Sequence, residues 1–143
     1  MKTIALRFGE HFAPNEGTIA SHQEIINKYG FVWYGKMGAA VSDRVITSLQ
    51  ENEVIKILLI RSGRSERYWA VVSEIQHNTP EKEYIPEYYR DIAGTFKTWF
   101  KISEFVPAEK DVLGRCFVSS SGAPLNEVSK QSMSPYFIID YKG

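Results

Sequence analysis

The sequence predicts an α+β fold, in which a curled or barrel-like mixed β-sheet carries flanking short helices as a single domain over residues 1–143. Three observations point there. About seven short stretches alternate apolar and polar residues or are apolar throughout, as strands do. Short segments between them carry helical spacing. The run at residues 54–60 is almost wholly apolar, which suits a strand covered on both faces. A flat small sheet cannot bury so many apolar strands, whereas a curled one with helices against it can.

The elements follow in order. Residues 3–8 put Ile4, Leu6 and Phe8 on one face and read as a strand. Residues 9–17, with Pro14, Asn15 and Gly17, read as a loop. Ser21 and Glu24 fit a capping box, and Ile25, Ile26 and Tyr29 continue a short amphipathic helix that Gly30 stops. A short strand at 31–34 precedes a second helix, capped by Ser42 or Asp43, with Val45, Ile46 and Leu49 as its apolar stripe and Asn52 near its end. The strand at 54–60 turns at Ser62-Gly63 and returns at 67–75 as a hairpin. Residues 76–91 are polar and contain Pro80 and Pro86, so they read as a long loop with one helical turn at 87–90. Loops of that length in a small domain are often functional. A strand follows at 95–106, with Phe96, Phe100 and Ile102 pointing one way and Lys97, Trp99 and Lys101 the other. Pro107 ends it. A strand at 113–118, a turn, a helix at 125–131 and a strand at 136–141 complete the chain.

Composition narrows the function classes. Lys plus Arg and Asp plus Glu each number 17, so the formal net charge is zero. A general electrostatic grip on nucleic acid shows as a basic excess. The balance argues against strong non-specific binding and leaves room for a local basic patch. The single cysteine, Cys116, excludes an internal disulfide and a multi-cysteine zinc site, and its strand-like setting reads as a buried, inert thiol. The start has too short an apolar stretch for a secretory signal, and no run reaches membrane-spanning length. The expectation is a cytoplasmic chain with no membrane partner.

Catalytic signals are weak. His11, His22 and His77 are scattered without metal-ligand spacing, no Gly-rich phosphate loop occurs, and no cofactor is expected. Aromatic residues near turns carry more information. Trp33, with Tyr34 beside it, ends a strand just before a glycine; it reads either as a core tryptophan or as one wall of a pocket for a flat ring. Ser62 and Gly63 make a hairpin turn and could also meet the edge of a bound base, with Gly63 permitting close approach. Arg61, Arg64 and Arg67 cluster at that turn, where they are either solvated or hold phosphates. Trp99 lies between Lys97 and Lys101 on the charged side of its strand; either a loop covers it, or it is a stacking platform flanked by cations. Tyr84, Tyr88 and Tyr89 crowd the preceding loop and could close one side of a pocket or pin the loop to the body.

The order of these segments resembles the EVE and YTH members of the PUA-like superfamily. Gly30-Phe-Val-Trp33 followed by a helix is similar to the Gly-Val-Trp segment of YTH domains. Ile57-Leu-Leu-Ile-Arg-Ser-Gly63 with Tyr68-Trp-Ala-Val-Val-Ser-Glu-Ile75 resembles the paired strands around a Ser-Gly turn in both families. Gly94-Thr-Phe-Lys-Thr-Trp99 running to Phe105-Val-Pro107 is similar to the YTH pattern of Phe and Trp before a Val-Pro. Ser129-Lys-Gln-Ser-Met-Ser-Pro135 resembles the late Gln-Ser segment of EVE domains, which brings in Ser132.

The resemblance implies a PUA-like barrel with an aromatic cage for a modified, methylated base in DNA or RNA. It assigns the cage to Trp33 and base-edge contacts to Ser62. The second cage wall in YTH domains is a loop tryptophan; here the loop offers only tyrosines, so Tyr88 or Tyr89 takes that place. Arg61, Arg64, Lys97 and Lys101 would hold phosphates. The segment before Gly30 resembles specificity domains of modification-dependent restriction systems, which implies an effector nuclease or NTPase subunit or domain as a further partner. Two other classes stay open from the residues alone. One is a small nucleotide-directed hydrolase or transferase using Glu83 or Glu87. The other is a protein-interaction subunit of a defence complex.

Overall fold

The computed structural model describes residues 1–8, 15–61, 66–132 and 134–143. Among them, strands β1 (Lys2–Phe8), β2 (Val32–Lys36), β3 (Ile55–Arg61), β4 (Arg67–Gln76), β5 (Thr98–Pro107), β6 (Cys116–Val118) and β7 (Tyr136–Tyr141) form one sheet in the order β2-β5-β4-β3-β1-β7-β6. Only the β1–β3 pair is parallel, and every other pair is antiparallel. Helices α1 (Thr18–Tyr29), α2 (Asp43–Gln50) and α3 (Leu125–Gln131) flank it, with 3-10 segments at Lys82–Tyr84, Glu87–Thr95 and Val112–Arg115.

The sheet is curled. Four strands separate β2 from β7 in the order, which in a flat sheet is roughly 24 Å at about 4.8 Å per strand. Yet the Lys36 ammonium on β2 lies 4.8 Å from the centre of the Tyr136 ring on β7. The sheet therefore wraps back on itself. It does not close with a ladder, because β2 pairs with β5 alone among the described residues. An open seam runs between β2 and the β1–β7 side.

Three apolar clusters hold this shape. Inside the curl, Leu6, Val32, Leu59, Ala70 and Phe100 meet Ile46 and Leu49 of α2. On the outer face of β3, β4 and β7, Leu58, Ile60, Trp69 and Phe137 pack with Leu125 of α3 and with Val112. Side chains of β3 thus go alternately to two cores, as its continuous apolar run requires. The third cluster lies where 82–95 covers β2 and β5: Trp33, Ile85, Tyr89, Ala93, Phe96 and Trp99.

Several boundaries differ from the sequence reading. Helix α1 starts at Thr18, with Gly17 (φ 91°) as N-cap, and no side chain caps it. Ser21 lies inside the first turn and donates its hydroxyl to the Gly17 carbonyl at 2.8 Å. The buried residues of this turn, Thr18, Ser21 and His22, are polar, so hydrophobic periodicity does not register them. Gly30 ends α1 in the left-handed region at φ 87° as expected, and Ser42 caps α2 by accepting from the Val45 amide. Residues 112–115 form a 3-10 turn, so β6 starts only at Cys116, whose thiol burial pushes up to about 12. Strand β5 starts at Thr98, which puts Phe96 outside the alternation and beside Trp99. The expected loop at 9–17 falls mostly on residues outside those described.

Candidate functional site

The open seam holds a cavity of about 130 Å³. Tyr34 from β2, Tyr88, Tyr89 and Phe96 from the covering segment, and Leu6 and Phe8 from β1 line it. Its volume is close to the roughly 150 Å³ of an apolar cavity that takes up benzene. Arg7 and Lys36 also border it, and no carboxylate does so among the described residues.

Local sequence explains each wall. Gly35 follows Tyr34, and a Cβ there would come within 2.6 Å of the Phe96 ring and 3.0 Å of Trp99. The missing side chain lets Phe96 lie against the strand backbone beside the cavity. Gly35→Ala is expected to cost about 1–3 kcal/mol by overpacking. It should also push Phe96 into the cavity, so a denaturant melt and a ligand titration should both change.

Tyr89 is fixed from beneath. His22 is fully buried, its Nδ1 lies 2.7 Å from the Thr18 carbonyl and its Nε2 2.7 Å from the Tyr89 hydroxyl. A carbonyl only accepts, so Nδ1 carries the proton and Nε2 of the neutral ring accepts from Tyr89. Burial drives the His22 pKa down to about 4, and the Thr18 hydrogen bond offsets only part of that. The Tyr89 hydroxyl is raised well above its ordinary value, first by burial and then by Tyr88. Both groups are neutral near pH 7 and form a rigid base for the cavity. Beside it, the Lys36 ammonium donates to the Met37 and Ala39 carbonyls at 3.0 and 2.7 Å, pinning the segment after β2, and burial lowers its pKa.

The residues singled out in the sequence separate into groups. Tyr34, Tyr88 and Tyr89 come together at the cavity. Trp33 and Trp99 do not reach it, and their assignment as open stacking walls is corrected. Trp33 is 6 % exposed and Trp99 fully buried, both beneath the 82–95 cover. On a strand, neighbouring side chains leave by opposite faces, so Trp33 goes into this cluster while Tyr34 goes to the inside of the curl. Lys97 is exposed and does not line the seam cavity. Lys101 sits 4.4 Å over the Phe31 ring and 3.6 Å from Glu74, away from the cavity lining. Arg61 is engaged by Glu66 at 2.9 Å across the hairpin. Ser132 accepts Arg7 at its carbonyl and borders a different groove. Ser62, Gly63 and Arg64 lie outside the described residues. Glu83 and Glu87 are exposed. The Glu83 carboxyl is raised, chiefly by a hydrogen bond with Glu81, but neither lines the cavity.

Phe96, Arg7 and Lys36 escape sequence reasoning as site residues. Phe96 reads as part of a strand that in the fold starts two residues later. The other two carry no motif, and only the curl of the sheet brings them to the seam.

A seven-stranded curled sheet with flanking helices agrees with the family comparison. The Pua-like family model matches residues 4–139. The chain belongs to the Pua-like family. No curated protein and no solved structure matches the chain. Pua-like domains are in general binding modules, and membership fits a nucleic-acid-binding role. No helix among the described residues is long and apolar enough to cross a membrane.

Proposed function

We propose that this Pua-like domain reads a modified nucleobase, taken one at a time into the seam cavity. The observation that carries the reading is the cavity itself: five aromatic rings around a space sized for one flat ring, at an open edge of the fold. A base held there gains about 1–3 kcal/mol from stacking. Extruding it from a duplex costs a few kcal/mol, and less from a single strand or at a damaged site. A methyl group on the base adds apolar area that the Phe96 and Leu6 walls can cover. In a restriction or defence setting, a nuclease or NTPase subunit or domain would supply the catalysis.

Tyr88 is the wall to test, because it is half-buried, whereas Tyr89 is buried and held by His22. A binding screen with strands carrying methylated and hydroxymethylated bases should find one preferred by the parent protein. Tyr88→Ala should then weaken binding of that strand by about 5- to 150-fold, the equivalent of one lost stack, and leave a cooperative melt. Equal binding of modified and plain strands by parent and variant alike would remove the base-reading assignment.

A further inference from the structure

A second groove adjoins the cavity. It lies between α2, the turn after β6 and the segment leading into β7, and its volume is about 920 Å³. Lys2, Arg44, Ser48, Ser120 and Ser121 are among its lining, and seven serines border it in all. No carboxylate lines it among the described residues.

That charge pattern differs from those of two other grooves among the described residues. The chain holds equal numbers of cations and anions. The groove beside α1 mixes Arg61 with Glu16 and Glu66, and the one beside β4 mixes Lys56 with Glu53 and Glu109. The seam cavity and the serine groove together border Lys2, Arg7, Lys36 and Arg44 and no acidic side chain. Asp140 lies opposite Lys2 across the β1–β7 ladder and accepts the Ser119 hydroxyl at 3.1 Å, without itself lining the groove. The two spaces are continuous in the chain: Pro135 borders the cavity, while Ser134 and Tyr136 border the groove.

We propose that the serine groove is the track for the sugar–phosphate backbone of the strand whose base enters the cavity. Hydroxyls and basic side chains are the groups that donate to phosphate oxygens and set register without reading sequence. The absence of lining carboxylates among the described residues removes the repulsion that a polyanion meets in the two mixed grooves. This gives Ser132 a place as a backbone contact rather than a cage residue. The inference rests on the base-reading proposal for the identity of its ligand.

The test is fluorescence anisotropy with labelled oligothymidylate and oligouridylate of increasing length, beside the mononucleotides, across a salt series. Parent protein should bind longer strands more tightly than the mononucleotide. The double variant Lys2→Glu, Arg44→Glu should bind every strand about ten-fold more weakly, and the slope of log K against log salt should flatten by about 0.7 per lost phosphate contact. Ser120→Glu places a negative charge at an exposed turn position and should act in the same direction while the melt stays cooperative. A parent that binds long strands no better than a mononucleotide overturns the proposal, as does an unchanged salt slope in folded variants. Loss of strand affinity in the groove variants with no effect of Tyr88→Ala would retain the groove and reject the base cavity. The converse result would retain the cavity alone.

Discussion

Trp99→Ala is expected to cost about 3–5 kcal/mol of folding stability, the range for truncating a buried tryptophan. Net stabilities of domains are about 5–15 kcal/mol, so this change alone brings the protein near its limit. Trp99 is fully buried, with Phe96 at 5.4 Å and Tyr89 at 6.3 Å between ring centres. Its removal takes away what 82–95 rests on, and with it the two walls Tyr89 and Phe96. The indole also carries an unrewarded polar group: Nε1 is buried without a hydrogen-bond partner among the described residues. Such a group costs about 1–3 kcal/mol. Trp99→Phe discards that penalty together with part of the ring, so it should be milder than the alanine variant by at least about 1 kcal/mol. Urea midpoints at constant m-value give both numbers. A loss under about 1 kcal/mol for Trp99→Ala would mean that 82–95 does not seal over this face.

Acid should weaken the protein through His22. Its pKa is about 4 in the folded state, against an ordinary 6.5. Between those values the unfolded chain binds a proton that the native chain refuses. The contribution to stability is therefore intact above pH 6.5, declines as pH falls, and levels off below about 4. The gap corresponds to about 3 kcal/mol. Protonation also turns the Nε2 acceptor into a donor, so the Tyr89 hydroxyl must direct its proton to the Trp33 carbonyl, 3.3 Å away. Denaturant melts at pH 7 and pH 4 should show the parent losing more stability than His22→Gln by about that amount. Equal losses in the two proteins would mean that His22 titrates normally in the fold.

Most of the architecture was legible because it rests on local pattern. The apolar run of β3 announces a strand with two covered faces, and α3 and β7 match their expected bounds. Tyr88 and Tyr89 stand out in the sequence as part of a crowd in one loop, and Tyr34 only as the neighbour of Trp33. What escaped was set by distant contacts. Trp33 and Tyr34 are adjacent in sequence, and choosing which one faces the cavity requires knowing which face of β2 the 82–95 segment covers. Trp99 looks exposed when flanked by lysines, and only that cover makes it core. Arg7 and Lys36 become neighbours of one space through sheet curvature, a property spread over every strand between them.

Strand β1 lies between β3, which it meets in parallel, and β7, which it meets antiparallel. A ribosome therefore releases this strand early and its last neighbour late. At roughly 5–20 residues per second, β1 waits on the order of ten seconds with the backbone N–H and C=O groups of one edge unpaired. Unpaired strand edges invite association between nascent chains. Chains stalled before Tyr136 should depend on chaperones far more than released ones, even though most of the sheet has already been synthesised.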